Sequence, residues 1–366
     1  MAMPKERKEP WHDNVARFRD ERNGAFRRLL LKKNGLREKW RWKVWRQLLH
    51  LKAPLDAADA GSEATVDAHR RVIKEDVPRT FPDILAPEQA QQLERVLVTY
   101  AQLDPEVGYT QGMNYVAGLL LLVARDEQEV LCGFWALMQN FQLAGFYRPG
   151  FELALTYCHA VLRRMQQTMP DLHDHFLAIG IQYDLYLFPW FLRLFVTLVP
   201  LPLVKRFWDI ILCEGSCAVP TLGLLVLRVL RPALLGEEDL DGINQRLRRG
   251  IEDTEGGNQR LEEADWTRLE QELSQSFESE HAWVQQILAE RPPKGGYTHE
   301  FMREEFSRQR QARQDLIESM AQAAAEAQAA RVEAAQAAEE VPPVPWPRGV
   351  RQSLTAPIQE LSWAFC

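Results

Sequence analysis

The chain has 366 residues, enough to bury a substantial core in one large domain with extensions or in two domains. Hydrophobic residues make up 46% and charged residues 26%, a globular balance, and the net charge of -7 argues against general nucleic-acid binding. Five cysteines, at 132, 158, 213, 217 and 366, form no paired C-x-x-C framework, which fits a reduced, cytoplasmic compartment and points away from a metal site.

Residues 1–10 are charged and lack an apolar core, so they do not read as a secretory signal. Residues 12–33 mix charges with Val15, Phe18, Phe26 and Leu29, and read as a leading helix that ends near Gly35. Arg27, Arg28, Lys32, Lys33, Arg37, Lys39, Arg41 and Lys43 form a basic cluster there. A solvated helix face is the plainer reading of it, and a membrane-surface or partner-binding face the sharper one. Leu36, Trp40, Val44 and Leu48 recur every four residues and are expected in the core, while 51–64 is small, acidic and loop-like.

A helix is predicted over 65–76, with Thr65 or Asp67 as cap and Val66, Val72 and Ile73 facing inward. Pro78 has no N–H and disfavours helix at Val77, so Arg79 should stand at the helix exit, one turn after Asp76. A guanidinium there suits phosphate oxygens or carboxylates. Taken alone, the same residues also fit a capping acid beside a solvated arginine.

A second polar signature, Gly108-Tyr109-Thr110-Gln111-Gly112-Met113-Asn114-Tyr115, follows an amphipathic segment carrying Leu93, Val96, Leu97 and Tyr100. Asp104-Pro105 breaks that helix, and Gly108 and Gly112 bracket a tight turn. Residues 115–124 are apolar nearly all round and call for a fully buried helix, which puts Gln111 at its mouth. An ordinary polar turn residue is the plain alternative for Gln111.

Further helices are predicted at 128–143, 151–168, 172–182, 190–199, 202–213 and 218–235, with no alternating strand pattern of useful length. Residues 185–204 are apolar, but Arg193 and three prolines favour a buried helix pair over a membrane span. Trp208-Asp209 is expected to lock that pair by packing and a local hydrogen bond. His159, His173 and His175 lack metal-ligand spacing and are expected to be satisfied or exposed. Residues 236–257 read as a charged loop, followed by an amphipathic helix from Trp266 through Leu269, Leu273 and Phe277 to Leu288. Pro292 to Gly296 reads as a hinge, and 298–340 as an Ala/Gln/Glu-rich helical tract without sustained heptads. The proline-containing last 26 residues are expected to be disordered and to offer a docking motif, and Cys366 does not fit a prenylation box.

Four of these stretches, in order, resemble the TBC-domain family, the activators of Rab-type small GTPases. In that family an I-x-x-D-x-x-R segment supplies an arginine finger, matched by Ile73, Asp76 and Arg79, and a Y-x-Q-G segment supplies a glutamine finger, matched by Tyr109, Gln111 and Gly112. Downstream matches are Phe188-Pro189-Trp190-Phe191-Leu192, Arg206, Trp208-Asp209 and Glu214-Gly215; upstream, Arg41 to Trp45 match, with Trp42 where the family often has glycine. The resemblance spans about 30–235.

It implies an all-α, two-lobed helical array for a TBC-like domain (30–292, lobes 30–150 and 151–292); composition adds an N-terminal extension (1–29), a helical tract (293–340) and a disordered tail (341–366). It further implies a GTPase activator, not itself an enzyme, that supplies residues in trans to a GTP-bound Rab and so regulates membrane traffic. Arg79 would neutralise charge on the transferring phosphoryl and Gln111 would position the water. Asp76 would orient the arginine, Tyr109 and Gly112 would shape the glutamine loop with Asn114 beside them, and Arg41, Trp45, Trp190, Trp208 and Asp209 would be structural. No cofactor, metal or nucleic acid is expected on this chain, GTP and Mg²⁺ belonging to the partner. No integral membrane segment is expected, only peripheral recruitment to endomembranes, and the C-terminal tract could bind another protein. The competing expectation is a catalytically inactive Rab-binding scaffold.

Overall fold

Apolar stripes at helical spacing become helices throughout the computed structural model, which describes residues 36–51, 63–124, 126–248 and 263–339. No strand occurs among the described residues. The chain divides into a body reaching Gln311 and a second unit from Ala312 onward.

The first half of the body is α1 (Glu38–Leu49), α2 (Glu63–Asp76), α3 (Pro87–Leu103), α4 (Met113–Ala124) and α5 (Glu127–Asn140). Its centre is α4, whose residues Met113 to Leu121 are all buried, with α3 and α5 packed against it. Local chemistry sets the boundaries: Pro87 opens α3, and the Asp126 carboxylate accepts the Glu129 N–H at 2.8 Å to open α5.

The second half comprises α6 (Glu152–Thr168), α7 (Pro170–Ile179), α8 (Leu187–Leu192), α9 (Leu201–Glu214), α10 (Ala218–Leu235), α11 (Leu240–Arg248), α12 (Glu263–Gln275) and α13 (Phe277–Ala289). Its axis is α10, against which α6, α12 and α13 pack. Among the described residues α10 is the helix long and apolar enough to cross a membrane, and 72% of it is buried inside the fold. The last helix, α14 (His299–Glu339), contributes Met302, 3% exposed, to the body's core; from Gln314 to Glu333 its side chains are exposed.

Several expectations need correction. Val72 is 44% exposed and Trp40 48% exposed, because the buried stripe of α2 runs Val66–Ile73–Asp76 and that of α1 runs Arg41–Trp45–Leu48. In place of a helix over 190–199, α8 ends at Leu192, and Leu194 and Phe195 adopt positive φ of 44° and 64°. That reversal turns the Leu194 carbonyl to the Trp208 indole N–H at 3.2 Å. The helices predicted over 128–143 and 172–182 end at Asn140 and Ile179, where Gln142 and Gly180 turn left-handed. Residues read as loop hold α11, which buries Ile243 and Leu247 four apart. The helix expected to continue through Phe277 is two, broken at Ser276. The basic residues at 27–33, the proline tail and Cys366 lie outside the described residues.

Candidate functional site

As Pro78 requires, α2 gives way after Asp76 to a single 3-10 turn, Val77–Arg79. The Asp76 side chain is 1% exposed and that of Arg79 is 53% exposed, and the two are ion-paired. The pair thus has a buried anion as its base and a solvent-facing cation as its tip. Burial is the largest single influence on the Arg79 guanidinium and lowers its pKa, but the Asp76 hydrogen bond and charge together more than offset it, and the pKa sits above the ordinary arginine value.

The other oxygen of Asp76 accepts the Tyr109 hydroxyl at 2.5 Å. Burial, then that hydrogen bond, pushes the Tyr109 phenol up, so it stays a donor. A second strand of contacts runs parallel. Thr80 donates its hydroxyl to the Asp76 carbonyl at 2.8 Å and accepts the Asn114 amide at 2.7 Å; the Asn114 oxygen accepts the Gly112 N–H at 3.0 Å. Tyr115 donates to the Arg79 carbonyl at 3.4 Å. Through these bonds the arginine turn and the Gln111 loop form one hydrogen-bonded platform. Gln111 itself is exposed and makes no side-chain hydrogen bond among the described residues.

Gly112 has a sequence-specific reason to be glycine: its φ is +115°, and a Cβ would lie 2.9 Å from the Leu192 carbonyl oxygen. That carbonyl is fixed by the Tyr147 hydroxyl at 2.7 Å, so α8 abuts the loop. Sequence reasoning missed His69, whose Nδ1 accepts the Tyr109 N–H at 3.3 Å. It also missed Thr80 and Arg193, whose guanidinium lies 5.5 Å over the Tyr115 ring. The spacing His69–Ile73–Asp76 on one helix face could have pointed to His69.

The remaining predicted residues form a separate assembly. Arg41 Nε donates to Asp209 at 3.1 Å, the Trp45 indole N–H donates to the same carboxylate at 2.7 Å, and Trp45 stacks on Trp208 at 5.6 Å. Asp209 therefore joins α9 to α1, across 168 positions, rather than locking its own helix pair as expected; Trp208 makes the local bond. Trp190 donates to the Leu247 carbonyl at 3.3 Å. Trp42 bonds Glu129 and lies against Gly133 of α5. Among the described residues no group of three or more His, Cys, Asp or Glu could hold a metal ion.

The Rab-GTPase-TBC domain model matches residues 38–235, more than half of the chain and both polar signatures. The chain belongs to this TBC-domain family. Similar relatives include the Rab GTPase-activating protein eat-17 of Caenorhabditis elegans, 34% identical over 188 residues, covering 50% of this chain and 21% of that protein. The human ecotropic viral integration site 5 protein homolog is 32% identical over 188 residues, covering 50% of this chain and 23% of the relative. The chain thus spans less than a quarter of the length of either. The TBC fold is shared with the Ypt/Rab-GAP domain of GYP1P at TM-score 0.57 and 19% identity, covering 74% of this chain and 98% of that one. It is shared with the Chlamydomonas flagellar RabGAP TBC domain at TM-score 0.55 and 22% identity, covering 72% and 89%.

Proposed function

We propose that this TBC-family chain is a GTPase-activating protein for Rab-type small GTPases in their GTP-bound state. Arg79 and Gln111 are supplied in trans, and the chemistry stays in the partner, which holds GTP and Mg²⁺. The observation that carries the reading is the platform: the exposed Arg79 side chain and the loop bearing exposed Gln111 are held by one buried Asp76–Tyr109–Thr80–Asn114 network. Phosphoryl transfer needs little covalent help; it needs positive charge on the equatorial oxygens and a held water. A planar guanidinium on a rigid base serves the first, and an amide that both donates and accepts serves the second. Rigidity matters because misplacement by about 1 Å can cost about 10²-fold. Under this reading Asp76 orients Arg79, Tyr109 and Gly112 shape the glutamine loop, and the chain itself requires no cofactor. A cytoplasmic protein recruited peripherally to endomembranes, acting in membrane traffic, follows from the class of partner.

The test is single-turnover GTP hydrolysis by a panel of purified Rab GTPases with the full chain, beside Arg79→Ala and Gln111→Ala. Acceleration of one or a few Rabs that Arg79→Ala abolishes supports the reading. Binding without acceleration across the panel replaces it with the inactive scaffold, and neither binding nor acceleration removes both.

A further inference from the structure

Charge is placed unevenly along this chain. Residues 27–46 hold nine lysines and arginines against one acid, Glu38, a net of +8 in a chain of net -7, so the rest carries -15. A basic block in an acidic protein points to contact with an anionic partner or surface. Its described part is α1, which sorts its charges by face. Arg41, Trp45 and Leu48 turn into the core, where Asp209 holds Arg41. Lys39, Trp40, Lys43 and Arg46, at helical spacing, turn out to solvent on the other side.

On that outer face Trp40 is 48% exposed, with the Lys43 ammonium 4.8 Å and the Lys39 ammonium 5.6 Å from its ring. Among the described residues neither lysine makes an ion pair, nor does Arg37 at the N-cap. Arg46 is paired with Glu129, and Glu38 lies with Arg41 and Lys205. Cations without counterions thus surround a large amphipathic ring. The face lies away from the platform. Trp42 bonds Glu129 at the start of α5, beside the last residues of α4, whereas Gln111 precedes the first, about 18 Å of helix away.

Anionic lipid is the surface that suits both features. Lysines gain from charged headgroups, and an indole seats at headgroup level, where its ring meets acyl chains and its N–H meets water. The sequence just upstream repeats the combination, with Leu29-Leu30-Leu31 between Arg27-Arg28 and Lys32-Lys33. A nucleic acid would use the cations but not three consecutive leucines. We propose that the outer face of α1, together with the basic segment before it, docks on an anionic membrane surface. Lys39 and Lys43 pair with headgroup phosphates, and Trp40 enters the headgroup layer. This supplies the contact for the peripheral recruitment in the proposed function, yet it requires no GTPase, so either can fail without the other.

Co-sedimentation of the full chain with vesicles of phosphatidylcholine, alone or with about 30% phosphatidylserine, tests it in about 0.1 M salt. The chain binds the serine-containing vesicles and not the neutral ones, and about 0.5 M salt releases it. Lys39→Gln/Lys43→Gln weakens binding by roughly 25-fold, about fivefold for each lysine, and Trp40→Gln by roughly tenfold. Thermal midpoints stay unchanged, because all three side chains are exposed. Lys74→Gln/Lys294→Gln removes the same charge from exposed positions elsewhere and leaves binding as it was. Hydroxyl-radical footprinting reads the unaltered chain: the anionic vesicles slow oxidation of Trp40. The proposal is overturned by no binding to the serine-containing vesicles, or by equal loss in the two lysine double variants. It is equally overturned if Trp40→Gln or the α1 lysine pair has no effect. Tighter binding to a duplex RNA than to these vesicles, lost in the same lysine variant, overturns it in favour of a nucleic acid.

Discussion

Two arginine–aspartate pairs in this molecule have the same chemistry and opposite geometry. In Arg79–Asp76 the carboxylate is buried and the guanidinium side chain is 53% exposed; in Arg41–Asp209 the side chains are 8% and 0% exposed. The first pair joins residues three apart and leaves the arginine free to exchange its partner for another anion. The second joins helices 168 positions apart and adds an indole donor, Trp45, to the same carboxylate. An exposed ion pair contributes little to stability, whereas breaking a buried one strands a charge. Burial of the arginine therefore separates a residue that can act on a partner from one that can only hold the fold.

The largest effect expected from that difference is on activity. Arg79→Ala should lower stimulated GTP hydrolysis by ~10³-fold or more. Its stability should fall by about 1–2 kcal/mol, less than for Arg41→Met, because the buried Asp76 loses its cation but keeps the Tyr109 hydroxyl. Arg79→Lys should fail nearly as badly, because an ammonium cannot reproduce the planar fork. Gln111→Ala should cost ~10²-fold in the same single-turnover assay without a change in the denaturation midpoint, because the Gln111 side chain is exposed. If either variant also unfolds readily, the contrast drawn between the two pairs is wrong.

The buried pair should behave in the reverse sense. Arg41→Met leaves Asp209 without its cation and should destabilise the protein by about 3 kcal/mol in urea denaturation at pH 7. Rab binding by the fraction that remains folded should be intact. The pH dependence has a definite sign. Burial raises Asp209 to about 6, against the lowering by Arg41 and Trp45, so the folded state binds this proton more tightly than the unfolded chain. The contribution is full below the unfolded value near pH 4 and is lost as pH rises through about 6, a fall of about 2–3 kcal/mol. Asp209→Asn should remove that slope; a slope unchanged by Asp209→Asn would show that other groups set it.

The two pairs also differ in how far the sequence reveals them. Arg79, Asp76, Tyr109 and Gln111 sit in short segments where proline, glycine and helix spacing fix the local backbone, so their neighbourhood is readable residue by residue. The partnership of Asp209 with Arg41 is a long-range event, and nothing in the spacing near Trp208 indicates which distant helix accepts it. The same limit explains Trp40: four-residue recurrence marks a face, but Arg41 took the core position because a carboxylate awaited it there. The left-handed pair Leu194–Phe195 ended a predicted helix for a tertiary reason, the Trp208 bond to the Leu194 carbonyl.

The smallest effect sharpens the comparison most, because it leaves both arginines in place. Tyr109→Phe deletes the hydroxyl that holds one Asp76 oxygen, while the Arg79 ion pair and the Thr80–Asn114 bridge remain. Losing one hydrogen bond to a buried charged group should cost about 1.5–3 kcal/mol of stability, less than Arg41→Met or at most equal to it. Asp76 then has rotational freedom, and the arginine it carries is less well aimed. Stimulated hydrolysis should fall by about tenfold with Rab affinity nearly unchanged, a loss in the rate of the bound complex rather than in binding. A Tyr109→Phe variant that loses stability but keeps full activity would mean that Asp76 anchors the turn without aiming Arg79. A variant that loses activity by the full ~10³-fold expected of Arg79→Ala would mean the aim depends on Tyr109 alone, and that the parallel bridge through Thr80 and Asn114 contributes nothing to it.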